Sequence, residues 1–116
     1  MIPYEITATE AAELLKKSRE QASAGAKPEF ILLDVREPHE IAVARVEGAL
    51  TIPLGEVNLR LSELDPECHI VAMCHAGVRS MRVALFLRDN GYDQVQSMRG
   101  GIDGWSVEVD PTVPRY

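Results

Sequence analysis

The chain has 116 residues, a net charge of −6 and two cysteines. This length fits one small domain, which we predict to span residues 1–116. Two cysteines are too few for a disulfide scaffold. The acidic balance argues against a nucleic-acid partner and against docking on an anionic membrane.

The sequence has no pattern of a targeting signal or of a membrane span. Residues 1–7 lack both a basic region and an apolar stretch. The longest apolar runs, at residues 31–33 and 83–87, are far shorter than a bilayer requires. We therefore expect a cytoplasmic protein whose thiols are reduced.

Helical patterns recur along the chain. Thr7 and Glu10 have the spacing of a capping box, and the apolar residues after them recur at helical spacing until about Gly25. Further helices are predicted at residues 37–41, 56–61 and 80–90. The last of these is apolar on almost all sides, so we expect it to be well buried.

Strand patterns alternate with these helices. Residues 30–33 form a short continuous apolar run, which is typical of a strand buried on both faces. Further strands are predicted at residues 49–52, 69–73 and 94–98, the last with alternating polarity. The chain after Trp105 contains two prolines and is expected to be irregular and packed along the surface. This alternation predicts an α/β domain with a mainly parallel sheet.

The most informative segment joins the strand at 69–73 to the helix at 80–90. It consists of Cys74, His75, Ala76, Gly77, Val78, Arg79 and Ser80. Sites of open α/β sheets lie beyond the carboxyl ends of strands, where Cys74 falls. Loop N–H groups and the positive end of the following helix are expected to surround the sulfur, and Gly77 permits the tight curvature. The pattern predicts an anion cradle with a thiolate at its centre.

Such a cradle changes the ionisation of the thiol. A thiol with a pKa of ~8.5 is about 3% ionised at pH 7, whereas one with a pKa of ~6.5 is about 75% ionised. The difference is roughly 2.7 kcal/mol, which we expect the loop amides, the helix N-terminus and Arg79 to supply. The alternative is a structural cysteine at a strand end, but that role does not need a glycine-containing strand-to-helix loop.

The loop resembles the active-site loop of rhodanese domains, commonly Cys-Arg-x-Gly-x-Arg-Ser/Thr. Three further segments match family motifs in the same order. They are Asp-Val-Arg at 34–36, Gly-Ala-x-x-Ile-Pro at 48–53 and Gly-Gly-x-x-x-Trp at 100–105. The four motifs are spread over residues 34–105. The resemblance implies a three-layer α/β/α fold with a mainly parallel five-stranded sheet.

The resemblance also implies a sulfurtransferase that uses no metal or organic cofactor. Cys74 would take sulfane sulfur from a small anionic donor such as thiosulfate. The persulfide would then pass it to cyanide, a thiol or a protein acceptor. Asp34 and Arg36 would support the site, and Ser80 would also cap the helix. The implied substrate-binding residues are His75, Ala76, Gly77, Val78, Arg79 and Ser80.

Two departures from the family pattern stand out. His75 occupies a position that is commonly arginine, and a neutral imidazole offers less to an anionic donor. Residues 44–47 replace a Gly-His pair that often precedes the Gly-Ala stretch, which we interpret as a structural variation. Two alternatives to an enzyme stay open. They are a non-catalytic or regulatory binding module and a sulfur carrier for a partner enzyme, in either case a monomer or weak dimer.

Other chemistries fit the spacing less well. Cysteine phosphatases use Cys-x5-Arg, but here Arg79 comes one position too early. Cys68 and Cys74 flank the strand at 69–73, which separates them by roughly 20 Å. A disulfide needs Cα atoms within about 7 Å, so Cys68 is expected to be a bystander. The three histidines are scattered and predict no metal site.

The remaining charged and aromatic residues have structural interpretations. Asp34 and Arg36 are expected to form a buried ion pair or hydrogen-bond set that fixes the loop, in preference to contacting substrate. Trp105 is expected to pack the C-terminal helix onto the body. Residues 74–99 carry four arginines against two aspartates, which predicts a mildly basic surface around the site. A solvated acidic face is predicted at Glu37, Glu40 and Glu47.

Overall fold

The computed structural model describes residues 2–116, and within them five parallel strands form one sheet in the order β1-β5-β4-β2-β3. The strands are β1 (Glu5–Ile6), β2 (Phe30–Asp34), β3 (Leu50–Thr51), β4 (His69–Met73) and β5 (Val95–Met98). The α-helices are α1 (Ala8–Ser23), α2 (Pro38–Val43), α3 (Val78–Asp89) and α4 (Gly101–Glu108). Two 3-10 helices lie at Leu54–Leu59 and Leu61–Glu63. The predicted α/β class and five-stranded parallel sheet are confirmed.

A separate apolar core covers each face of the sheet. Successive side chains of a strand point to opposite faces, and β4 divides accordingly. On one face, Val71 and Met73 pack with residues of α1 and α4. On the other face, Ile70 and Ala72 pack with residues of α3 and of the 3-10 helix at Leu54–Leu59. Trp105 belongs to the first core and is buried, as predicted. The result is the three-layer α/β/α arrangement.

Local sequence chemistry accounts for the start of α1. The amide of Glu10 donates to Thr7 Oγ1 at 3.1 Å, and the amide of Thr7 donates to Glu10 Oε1 at 3.2 Å. These reciprocal bonds satisfy two N–H groups that the first helical turn leaves free. The predicted capping box is therefore confirmed.

Several helical predictions need correction. α3 begins at Val78 rather than residue 80, and it is not buried all round, because Leu85 and Phe86 are 44% and 37% exposed. α4 continues past Trp105 to Glu108, so the irregular tail starts later than predicted. None of the helices within residues 2–116 combines the length and apolar character needed to cross a membrane.

The sheet also differs from the sequence prediction at β1 and β5. β1 was not predicted, because two residues are too short for a periodic pattern. All four residues of β5 are buried, although the sequence alternates in polarity. β5 lies between β1 and β4 with helices on both faces, so its polar side chains Gln96 and Ser97 are buried with hydrogen-bond partners.

Candidate active site

Cys74 follows directly after β4, in the interior of the sheet order, and is only 1% exposed. The loop to α3 curves around its sulfur. The amides of Gly77 and Ser80 donate to Sγ at 3.1 and 3.4 Å. Gly77 has φ of 116°, a left-handed conformation that favours glycine, and it is the N-cap residue of α3. The helix N-terminus therefore points its free N–H groups at the sulfur.

The side chain of Ser80 belongs to this cradle rather than to the helix cap. Gly77 is the N-cap residue, and Ser80 is the third residue of α3, so the predicted capping role is wrong. Its Oγ lies 3.4 Å from Cys74 Sγ and 2.7 Å from the Oγ of buried Ser97 on β5. When Cys74 is ionised, the Ser80 hydroxyl can donate to the sulfur while the Ser97 hydroxyl donates to Ser80.

Opposing effects set the pKa of Cys74. Burial raises it, but hydrogen bonds from the Ser80 hydroxyl and from the amides of Ser80, Gly77 and Ala76 outweigh burial and hold the pKa below its ordinary value. Arg79 was also expected to stabilise the thiolate. Its guanidinium instead makes a bidentate ion pair with Glu40, so the lowering of the Cys74 pKa comes from the hydrogen bonds to Sγ.

We expect Ser80→Ala to raise the pH at which Cys74 ionises, because a charge-assisted hydrogen bond to the thiolate is lost. The measurement is the pH dependence of Cys74 alkylation by iodoacetamide. Ser106→Ala is the matched control, because Ser106 is also buried but donates to Val113 O at 2.7 Å. An equal shift in both variants, or none in Ser80→Ala, would contradict this assignment.

The start of α4 braces the outer side of the loop. The amide of Ile102 donates to Cys74 O at 2.8 Å, and the amide of Asp103 donates to His75 O at 3.2 Å. Gly101 has φ of 57°, and a Cβ there would overlap both of these carbonyl oxygens. The Gly-Gly motif at 100–101 therefore has a physical reason, since only glycine lets α4 approach the loop so closely.

Glu40 is buried beside the loop, which corrects the prediction of a solvated face at this residue. It receives hydrogen bonds from Arg79 Nη1 and Nη2 at 2.6 and 2.9 Å and from the Tyr116 hydroxyl at 2.8 Å. The bonds from Arg79 are the main cause that holds the pKa of Glu40 far below its usual range. The charge of Arg79 is thereby compensated at the rim of the cradle.

Asp34 and Arg36 form a fully buried ion pair behind this rim. Arg36 Nη2 lies 2.8 Å from Asp34 Oδ2 and also donates to Ala44 O at 2.7 Å. Arg36 Nη1 donates to Tyr116 Oη at 2.9 Å. These bonds tie β2 to the C-terminal end of α2 and to Tyr116. They reach the loop only through other residues, which favours the structural interpretation over substrate contact.

Sequence reasoning missed Tyr116, Glu40 and Ser97 as neighbours of the site. The ring of Tyr116 stacks on His75, with centroids 4.1 Å apart and planes inclined by 11°. No sequence pattern points to Tyr116, because it lies in the irregular tail. A polar residue within the buried β5 was the only available signal for Ser97.

Cys68 lies at the opposite end of β4 from Cys74, and both are free thiols. Burial raises the pKa of Cys68, the reverse of the direction found for Cys74. The two cysteines of the chain are therefore chemically distinct. Among residues 2–116, no group of three or more histidine, cysteine or acidic residues is arranged to hold a metal ion.

The chain is similar to known proteins in sequence and in fold. Residues 7–108 match the model of the rhodanese-like domain family. Thiosulfate sulfurtransferase GlpE of Actinobacillus pleuropneumoniae serotype 7 is 36% identical over 85 residues, which cover 73% of this chain and 79% of that protein. The chloroplastic rhodanese-like/PpiC domain-containing protein 12 of Arabidopsis thaliana is 39% identical over 89 residues, which cover 73% of this chain. This chain spans only 30% of the length of that plant protein.

A crystal structure of a rhodanese-related protein from Thermoplasma volcanium has the same fold. It superposes with a TM-score of 0.77 at 25% identity and covers 98% of this chain and 100% of its own. The layered α/β/α fold and the strand-to-helix loop with a cysteine define the class of protein. This chain belongs to the rhodanese-like domain family.

Proposed function

We propose that this chain is a rhodanese-type sulfurtransferase that carries sulfane sulfur on Cys74. The donor is a small sulfane compound such as thiosulfate, and the acceptor is cyanide, a thiol or a protein. The observation that carries the proposal is the position of Cys74 Sγ, which receives hydrogen bonds from the amides of Gly77 and Ser80. The similarity to the Actinobacillus protein named thiosulfate sulfurtransferase supports the same reaction class.

The reaction proceeds in two displacements. The Cys74 thiolate attacks the outer sulfur of thiosulfate, an S–S bond forms to Sγ, and sulfite leaves with the electron pair of the broken S–S bond. The acceptor then attacks the outer sulfur of the persulfide, and the Cys74 thiolate leaves. Loop N–H groups stabilise the negative charge before, between and after these steps. The residues that we propose to bind substrate are His75, Ala76, Gly77, Val78, Arg79 and Ser80.

Burial of Cys74 favours small donors and acceptors. The residue is 1% exposed, so a reacting atom must enter the loop to reach Sγ. A protein acceptor would have to present its nucleophilic thiol on a narrow segment. We place the reaction in the cytoplasm, where both thiols stay reduced. We further propose that the protein acts as a monomer or weak dimer and uses no metal or organic cofactor.

Mass spectrometry of the thiosulfate-treated protein tests the proposal. We expect one added sulfur atom in the peptide that contains Cys74 and none in the peptide that contains Cys68, whose pKa is raised by burial. Subsequent cyanide treatment should remove this sulfur as thiocyanate. If Cys74 gains sulfur from neither thiosulfate nor an organic hydropersulfide, the enzyme proposal fails and a binding module becomes the better interpretation.

A further inference from the structure

The rim of the Cys74 loop carries a charge cluster that is internally neutralised. Arg79, the arginine of the loop, is held by both carboxylate oxygens of Glu40 at 2.6 and 2.9 Å. Hydrogen bonding to Glu40 is the largest cause that raises the pKa of Arg79, and the charge of Cys74 contributes less. Arg79 is five residues after Cys74, at the start of α3, and a carboxylate already compensates its charge.

Tyr116 holds this pair in place from the tail of the chain. Its hydroxyl donates to Glu40 Oε2 at 2.8 Å and accepts from Arg36 Nη1 at 2.9 Å. Its ring stacks on His75, the residue that directly follows the cysteine. The aromatic side chain therefore connects the carboxylate that neutralises Arg79 with the loop itself.

The other arginines around the loop add little net positive charge. Arg36 is paired with Asp34 at 2.8 Å, and Arg115 is paired at 2.9 Å with Asp103, whose amide contacts the loop. Arg82, one turn along α3, is exposed, where salt screens its field. Of the four arginines within residues 74–99, Arg79 is paired with Glu40, and Arg99 lies 3.7 Å from Glu5. Arg88 donates to backbone carbonyls, so acidic residues compensate the predicted basic surface only in part, at the loop itself.

We propose that Glu40 and Tyr116 are positioning residues that keep Arg79 in a neutral pair, so that the site prefers sulfur donors of low charge over thiosulfate. The preferred class is organic hydropersulfides, R–S–SH. This inference rests on the proposed sulfur transfer at Cys74 and concerns its donor. Neither residue touches the sulfur. Both act through Arg79 and His75.

The charge balance of the two donor reactions explains the preference. With thiosulfate, a thiolate meets a dianion, and the departing sulfite carries two negative charges, which an uncompensated cation nearby would stabilise. With a hydropersulfide, the thiolate attacks the outer sulfur, the RS–SH bond breaks, and RS⁻ leaves with the electron pair. The proton stays on the outer sulfur, giving Cys74–S–SH. This reaction places less negative charge in the loop.

Glu40→Gln tests the role of the carboxylate, because it removes the negative charge and keeps the size of the side chain. The measured quantity is the ratio of kcat/KM for thiosulfate to kcat/KM for 2-hydroxyethyl hydropersulfide, whose organic group is uncharged. We expect this ratio to rise about tenfold as Arg79 becomes an uncompensated cation. Glu63→Gln is the matched control, since Glu63 pairs with Arg60 at 2.6 and 2.9 Å outside the loop. The control should leave the ratio unchanged.

Tyr116→Phe provides a second variant, which keeps the ring that stacks on His75 and removes only the hydroxyl. We expect a rise of about threefold in the same ratio, because Glu40 loses one donor and holds Arg79 less firmly. A merely structural role would lower both rates together and leave the ratio constant.

The inference is overturned if the ratio stays within about twofold of wild type in both variants, or if wild type prefers thiosulfate. Its failure is distinguishable from failure of the proposed function. If wild type gains no sulfur on Cys74 from either donor, sulfur transfer itself is wrong. If sulfur is gained but the ratio does not respond, only the assignment of Glu40 and Tyr116 is wrong.

Discussion

Cys74→Ser should reduce the rate of thiosulfate:cyanide sulfur transfer by at least about a thousandfold. A serine hydroxyl in this cradle is not ionised near neutral pH and cannot form a sulfur–sulfur bond. In this variant the loop amides that stabilise the thiolate of the wild type have no anion to bind. The measurement is thiocyanate formation under saturating donor, with the folded state checked by circular dichroism.

Cys68→Ser is the matched control for this prediction. Cys68 is buried in the apolar core at the far end of β4, and its Sγ donates to Pro28 O at 3.6 Å. We expect the control to retain its rate within about twofold, because Cys68 lies outside the loop. If Cys74→Ser kept substantial activity, or if Cys68→Ser lost it, Cys74 would not be the sulfur carrier.

Arg36→Leu should lower the free energy of unfolding by about 3–5 kcal/mol, because it leaves a buried carboxylate without its partner. Asp34 loses the guanidinium that lies 2.8 Å away, and Ala44 O loses its donor at 2.7 Å. The side chain of Arg36 is fully buried, so water cannot replace these bonds. Urea unfolding measures the effect as a lower transition midpoint.

Two further variants separate loss of the pair from loss of a side chain. The double variant Asp34→Asn with Arg36→Leu should be more stable than Arg36→Leu alone, because the unpaired charge is gone. Arg60→Leu should be much less destabilising, since the Arg60–Glu63 pair is exposed to solvent. If Arg36→Leu cost no more than Arg60→Leu, the Asp34–Arg36 pair would not be a structural anchor of the site.

Much of the fold follows from short-range patterns in the sequence. The capping box at Thr7 and Glu10 predicts α1, and the apolar runs at 30–33 and 69–73 predict the two central strands β2 and β4. These patterns are local, because the hydrogen bonds of a helix join residues close in sequence and because a run of apolar residues lies within one short segment. β1 was not predicted, because its two residues form a strand only through their pairing with β5.

The position of Cys74 was likewise determined by sequence. A cysteine directly after a buried parallel strand, followed by a glycine-containing loop and a helix, has only one place in an α/β sheet. The cap at the start of that helix was mispredicted, because serine is a frequent N-cap residue and Gly77 adopts this position through its left-handed backbone. The serine is then free to approach the sulfur.

Tertiary structure alone decided the electrostatics around the sulfur. Arg79 looks like a free cation in the sequence, but the carboxyl ends of β2 and β4 meet at one edge of the sheet and bring α2 and its Glu40 beside it. Tyr116 joins them from the tail, 76 residues from Glu40 along the chain. No local sequence pattern predicts these contacts, because residues far apart in sequence become neighbours only when the sheet forms. The sequence by itself determined the acidic total of −6 and the position of Cys74 directly after a buried strand. The fold determined which charges that thiol encounters.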